Sequence, residues 1–489
     1  MSIAFHKRLM TLKQPDGTEL QVLGSGNQYA ATFETLDGHT VVEDPATGFY
    51  EYAVTDAEGD ELVATGITAG AVPSSAFKLA AGARASVSRR KVQVQESKLP
   101  PGGTRWEKRL AARRATPPGA LAAPPKRTTV GDYVGLVLLI DFPDVSGTIP
   151  GEEVERYCNE QGYRGFGNNG SVYDYFHDVS NNKLRYTNVV APYYTAQHKR
   201  DYYTNEAIEQ PKRTRELIQE ALRYHKTKGT IDFTKLTLDT AQCAYALNVF
   251  YAGPCVNNWA KGLWPHSFHL GTSFPLASNA YAHDYQITNI GSELSLGTFC
   301  HENGHMICDF PDLYDYGYES RGVGKWCLMC AGNFDEKNPT HVGAYLKYRA
   351  GWATVKPVAT GTVQAKAPGN EFFIHNRTPH EYLLLENRTR TGRDASLPGQ
   401  GLAIWHIDEQ GDNSNEQGTA ALHYECKLIQ ADGRDDLENG SNDGDASDLF
   451  GNGVAALVGG RWWDGTSTKL ELSGIGVPGA SIALSTKLL

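Results

Sequence analysis

At 489 residues, 40% hydrophobic content and a net charge of −10, the chain is long enough for two to four domains with cores of their own, and its composition excludes a disordered or fibrous protein. No stretch approaches the roughly 18 uncharged apolar residues that span a bilayer; the best run, residues 134–140, has the length of a strand. The N-terminal MSIAFHKRLMTLKQPDG has no apolar core segment, so no secretory signal is read there.

Residues 1–83 alternate short apolar and polar runs with turn pairs such as Asp37-Gly38, Asp44-Pro45 and Glu58-Gly59, the pattern of a small antiparallel β domain. Residues 84–128 carry twelve Lys/Arg against two acids, an excess of +10 that leaves about −20 for the rest of the chain. The run is rich in Ala, Pro and Gly and has Trp106 as its single aromatic. It is read as a solvated, protease-sensitive linker and not as a nucleic-acid arm.

An α/β section follows over 129–354. Val134-Gly-Leu-Val-Leu-Leu-Ile140 reads as a buried strand, and Ser171 as the N-cap of a helix over the next eight residues. A helix is predicted over 207–226, with Pro211 in its first turn. Residues 245–252 read as a second buried strand, 293–307 as the central helix, and 340–348 as another. From 355 to 489 the texture returns to short strands and Gly/Asn/Asp turns, a second β domain. The fold class is α+β.

The central helix holds His301-Glu-Asn-Gly-His305. Residues four apart share a helix face, so the two imidazoles converge on one point, and neutral imidazole is a good ligand for zinc. Glu302 lies about 100° round the helix, where it can act as general base on a water molecule without being a ligand. A hydrolytic zinc needs a third protein ligand. Asp309, Asp312 and Asp315 follow closely, and Pro311 should end the helix and turn the chain back. Asp312 is the first candidate; Asp309 and Asp315 stand as alternatives.

Four of the eight cysteines, Cys300, Cys308, Cys327 and Cys330, surround this motif. Their spacing is unusual for a structural zinc site, so local disulfides or buried thiols are expected. Residues 435–448 are dense in Asp, Asn and Gly; they suit either structural Ca²⁺ or a solvated acidic loop.

The stretch HENGHMICDFPDLYDYG resembles the active-site segment of the immune inhibitor A family of metallopeptidases, in the metzincin clan. Val137-Leu-Leu-Ile-Asp-Phe-Pro-Asp144, residues 170–184, Leu263-Trp-Pro-His266, Tyr382-Leu-Leu-Leu-Glu-Asn-Arg388 and residues 401–408 are similar to further parts of such enzymes. The resemblance implies a catalytic domain of mixed twisted sheet plus active-site helix, flanked by an N-terminal β-rich propeptide and a C-terminal β-sandwich-like domain. It also implies a Met-turn under the ligands, for which Met329 is the candidate, and Asp312 as third ligand. The family pattern H-E-x-x-H-x-x-G-x-P-D is departed from here: Cys308 stands at the glycine, and one extra residue precedes Pro311-Asp312.

The implied activity is a zinc endopeptidase made as a zymogen, secreted and monomeric, acting on protein or peptide substrates held antiparallel to an edge strand, for which residues 281–290 are the candidate. The alternatives are a zinc hydrolase of a non-peptide amide or ester, and a non-catalytic surface-binding protein on the same fold.

Overall fold

The computed structural model describes residues 4–71, 79–115, 128–412 and 418–489. The first six strands, β1 (Phe5–Lys13), β2 (Glu19–Gly26), β3 (Ala31–Thr35), β4 (Thr40–Glu43), β5 (Tyr50–Thr55) and β6 (Leu62–Thr68), form one antiparallel sheet in sequence order. Leu12, Leu20, Val22, Phe33, Val41 and Tyr52 make its core. These strands lie in the region where the turn pairs suggested short antiparallel strands.

The basic segment departs from the expected linker. It carries two helices, α1 (Val87–Gln95) and α2 (Arg105–Arg114). Thr104 caps α2 in a reciprocal capping box with Glu107, and Trp106 and Leu110 are buried. Part of its charge is neutralised by distant carboxylates: Arg105 and Arg109 pair with Asp239, Arg109 also with Asp309, and Arg114 with Glu425. Residues 116–127 of that segment lie outside the described residues.

The central layer is a five-stranded sheet in the order β10-β11-β9-β7-β8, built from β7 (Gly131–Asp141), β8 (Leu184–Thr195), β9 (Leu247–Ala252), β10 (His266–Ala277) and β11 (Ala280–Ile290). β8, β7, β9 and β11 run parallel, and β10 is antiparallel at the edge. The apolar run in β7 is explained by burial on both faces. Val137 and Leu139 enter one core, Leu136, Leu138 and Ile140 the other, as strand alternation requires. On the first face lie α3 (Gly151–Asn159), α4 (Val172–Val179), capped by Ser171 as predicted, and the central helix α7 (Leu296–Cys308). The second face is covered by α6 (Lys212–Lys228), which follows the short α5 (Arg200–Tyr203). Pro211 is the N-cap of α6, one step outside the helix.

After α8 (Ala344–Arg349) come β12 (Thr354–Pro357), β13 (Gly361–Lys366), β14 (Glu371–Asn376), β15 (Glu381–Arg388), β16 (Gly401–Asp408), β17 (Cys426–Leu428), β18 (Leu470–Ser473) and β19 (Ser481–Leu488). They form sheets β12-β14-β15-β16-β17 and β13-β19-β18. Leu383, Leu385, Leu402 and Ile404 face the smaller sheet, while Leu384, Trp405 and Ile407 join the core beneath α7. No helix among the described residues is long and apolar enough to cross a membrane.

Candidate metal centre

α7 starts against the loop that follows the Met329 segment. The Glu336 carbonyl accepts from the first two amides, Leu296 and Gly297, at 2.9 Å each, and its carboxylate accepts from Thr298 at 3.3 Å. A side chain on Gly297 would meet that carboxylate at 2.6 Å. Below the helix, Asn303 donates to Asn248 (2.9 Å) and accepts from Tyr186 (2.6 Å), fixing α7 on the sheet.

His301, His305 and Asp312 are fully or almost fully buried, and one ligand atom from each lies within 4.8 Å of the others. The Nε2 atoms are 3.1 Å apart, and each is 3.1 Å from Asp312 Oδ1. The opposite ring nitrogens face backbone carbonyls: His301 Nδ1 is 3.0 Å from Leu328 O, and His305 Nδ1 is 2.6 Å from Phe310 O. A carbonyl can only accept, so Nδ1 carries the proton in both rings and two Nε2 lone pairs point at the same carboxylate oxygen. Three lone pairs so arranged repel unless a cation lies between them. The residues therefore fit a metal ion. Without an ion, burial disfavours a charged His305, yet Asp312 outweighs it and lifts the ring to about 9, so that a proton on Nε2 takes the place between ring and carboxylate that a metal ion would fill. Asp312 is held well below the usual carboxylate range by the two histidines, despite its burial.

The register of the third candidate follows from one backbone turn. α7 runs through Cys308 and ends with Asp309 at φ 53°, a left-handed conformation that Asp tolerates better than most residues. The turn that a glycine would make at 308 is made one residue later, which absorbs the extra residue and brings Asp312 back to the histidines. Asp309 turns instead to Arg109 (2.8 Å). Asp315 accepts from the amides of Gly317, Tyr318 and Ser320. Neither joins the histidines.

Met329 sits in a tight turn directly below. Its carbonyl accepts from Leu313 at 2.7 Å, and a Cβ on Gly304 would lie 2.9 Å from its sulfur, which accounts for the glycine inside the motif. All eight cysteines are free thiols, seven of them buried, and no cysteine joins a candidate metal group among the described residues.

Glu302 is buried beside this group. One oxygen accepts from Ser267 Oγ; the other has no hydrogen-bond partner among the described residues. Ser267 lies on β10, which has a strand neighbour on one side only. The edge strand beside the site is thus β10, and the strand at 281–290 expected in that role is internal, between β10 and β9. No element was read from the sequence at β10, whose Gly271 and Pro275 weaken the strand pattern.

The site is covered. The β2–β3 hairpin loop enters beside β10, where the Gln28 amide accepts from Ser267 N (3.2 Å) and donates to Ser267 O (3.3 Å). Tyr29 packs edge-on against Tyr316 with ring centres 5.3 Å apart, and the Tyr316 hydroxyl donates to Asp312 Oδ2 at 3.2 Å. From the other side Trp106 stacks on His305, centroids 4.4 Å apart and planes 17° off parallel. Between Gln28, Tyr29, Trp106, Glu302 and His305 a cavity of about 10 Å³ remains, room for hardly one water. Asp284 on β11 anchors α2 by accepting from the amides of Arg105 (2.8 Å) and Trp106 (3.1 Å); burial pushes this carboxyl up to about 6. The motif does not announce any of these covering residues. The Thr104-x-x-Glu107 capping pattern was the one signal for α2.

No curated protein matches the chain. Residues 269–356 match the family model described as immune inhibitor A peptidase M6, catalytic domain. That segment carries both histidines, Glu302, Asp312 and the Met329 turn, and over it the chain is similar to the catalytic domain of immune inhibitor A metallopeptidases.

Proposed function

We propose that the chain is a zinc-dependent endopeptidase made in a latent form. The observation that carries this reading is the convergence of two oriented Nε2 lone pairs and one carboxylate oxygen next to a buried glutamate oxygen without a partner. Three N/O ligands with room for a fourth suit zinc, which when bound supplies Lewis acidity to a carbonyl and lowers the pKa of water. Glu302 takes the proton of the attacking water and is positioned for its later delivery to the leaving amine. Ser267, donating to the other oxygen of Glu302, fixes the rotamer of the base. Tyr316 orients Asp312, and the two carbonyls hold the imidazoles in the ligating tautomer.

An extended peptide would add to the open side of β10 through main-chain hydrogen bonds. The Gln28 side chain engages both main-chain groups of Ser267, as such a peptide would. Latency is then steric: Gln28, Tyr29 and Trp106 occupy the volume a substrate needs. The family resemblance supports a secreted monomer acting on protein substrates.

Cleavage between Ala115 and Thr128 would leave α2 on the N-terminal fragment, free to depart with it. The test is hydrolysis of a quenched peptide before and after such a cut, with the fragments separated. Hydrolysis that starts on removal of residues 1–115 is the expected result. Full activity of the intact chain, or none from the separated catalytic part with zinc bound, contradicts the reading.

A further inference from the structure

The loop after β17 packs against the segment that leads into the Met329 turn. Its Leu437 carbonyl accepts from Arg321 N and its Asp443 carbonyl from Lys325 N, both at 2.8 Å. Asp448 in this loop is completely buried. Its Oδ2 accepts from Trp326 Nε1 (2.9 Å) and from Asp445 N (3.0 Å). Its Oδ1 has no hydrogen-bond partner among the described residues. A buried carboxylate oxygen left without a partner is costly, and here it has company: one oxygen each of Asp432, Asp445 and Asp448 lie within 4.8 Å of one another.

The local charge is unbalanced. Arg434 bridges Asp432 (2.9 Å), Asp436 (2.8 Å) and Asp445 (2.8 Å), so with Asp448 one guanidinium faces four carboxylates. The Arg434 side chain is 54% exposed and can swing into water at small cost. The donors are all oxygen, without imidazole or thiolate, which selects a hard cation over zinc.

We propose that Asp432, Asp445 and Asp448 form a Ca²⁺ site that ties the 430–450 loop to the Met329 turn through Trp326. Ca²⁺ completes its six to eight oxygens with backbone carbonyls and water, as loops of this kind allow. Arg434 is the internal substitute that holds the carboxylates together when the ion is absent. The proposal does not depend on the peptidase reading, because the site shares no residue with the His301–His305–Asp312 group.

The test uses the full-length, zinc-loaded chain and Tb³⁺ as the probe, with tryptophan excitation, since the Trp326 indole is hydrogen-bonded to Asp448. Expected is a saturable emission at one equivalent, displaced by Ca²⁺ and far less by Mg²⁺. In Asp432→Asn/Asp445→Asn the titration should weaken at least tenfold. In Arg434→Gln, a surface change that removes the competing cation, Ca²⁺ should bind more tightly. Absence of a saturable signal in the parent chain overturns the proposal. So does an unchanged titration in the folded double variant or unchanged Ca²⁺ affinity in Arg434→Gln. Peptide hydrolysis enters none of these readouts, so failure here is separable from failure of the peptidase reading.

Discussion

Replacing Trp106 by alanine would strip the cover from the metal centre without touching any residue that faces the substrate in the open enzyme. The indole is 5% exposed and stacks on His305. Truncating a tryptophan buried to this degree costs about 3–5 kcal/mol. Because Trp106 belongs to α2, that loss falls on the docking of the helix. Docking retains the Arg109 contacts to Asp239, Asp309 and the Met306 carbonyl and the Asp284 anchor, so α2 should open more often and not detach. With each ~1.4 kcal/mol worth a factor of ten, the uncut variant should hydrolyse a quenched peptide at least ~10-fold faster than the uncut parent. Amides of α2 should exchange faster by a similar factor. After removal of residues 1–115 the two proteins should be indistinguishable. If the uncut variant is as silent as the parent while its α2 amides exchange freely, Trp106 is not what blocks the site and the steric account of latency fails.

Further outcomes follow from the same geometry. Tyr316→Phe removes the hydroxyl that holds Asp312; zinc affinity, read by competition with a chelator, should fall about 10–100-fold with the fold intact. Gly304→Ala forces a methyl to 2.9 Å from the Met329 sulfur and should cost about 1–3 kcal/mol in a denaturant titration, with lower zinc retention.

Acid should loosen the cover. His269 and His283 on β10 and β11 are both pushed down to about 4, first by burial and then by Arg215 of α6 and Lys108 of α2 around them. Arg105 adds to this at His283, and Asp239 opposes it there. Undocking α2 relieves part of that burial and charge, so the open form binds protons more readily. The docked form therefore loses about 1–3 kcal/mol as pH falls from about 6.5 towards 4, seen as lower protection factors of the α2 amides once the intrinsic pH dependence of exchange is divided out. Protection factors that stay constant or rise over this range contradict it.

Where local chemistry decides the structure, the sequence was legible. Ser171 and Asp174 form a capping box that marks α4, the continuous apolar run of β7 means two covered faces, and histidines four apart on α7 must share a face. The third metal candidate was only narrowed, because choosing among Asp309, Asp312 and Asp315 depends on which residue adopts the left-handed turn. Asp309 does so, at the position after Cys308, and composition does not reveal it. β10 was missed because Gly271 and Pro275 weaken a strand pattern that an edge position tolerates. The basic segment misled for a related reason. Its arginines look solvated when counted along the chain, but Asp239, Asp309 and Glu425, more than a hundred residues away, are their partners. Charge complementarity across an interface has no signature in a local window.

The most direct test of the central claim compares the parent and Glu302→Ala, each freed of residues 1–115, for bound zinc and casein hydrolysis. Glu302 is next to the ligand group without belonging to it, so both proteins should hold zinc and only the parent should cleave casein. Cleavage by the variant at the parent's rate, or a parent that binds no zinc, would contradict the account.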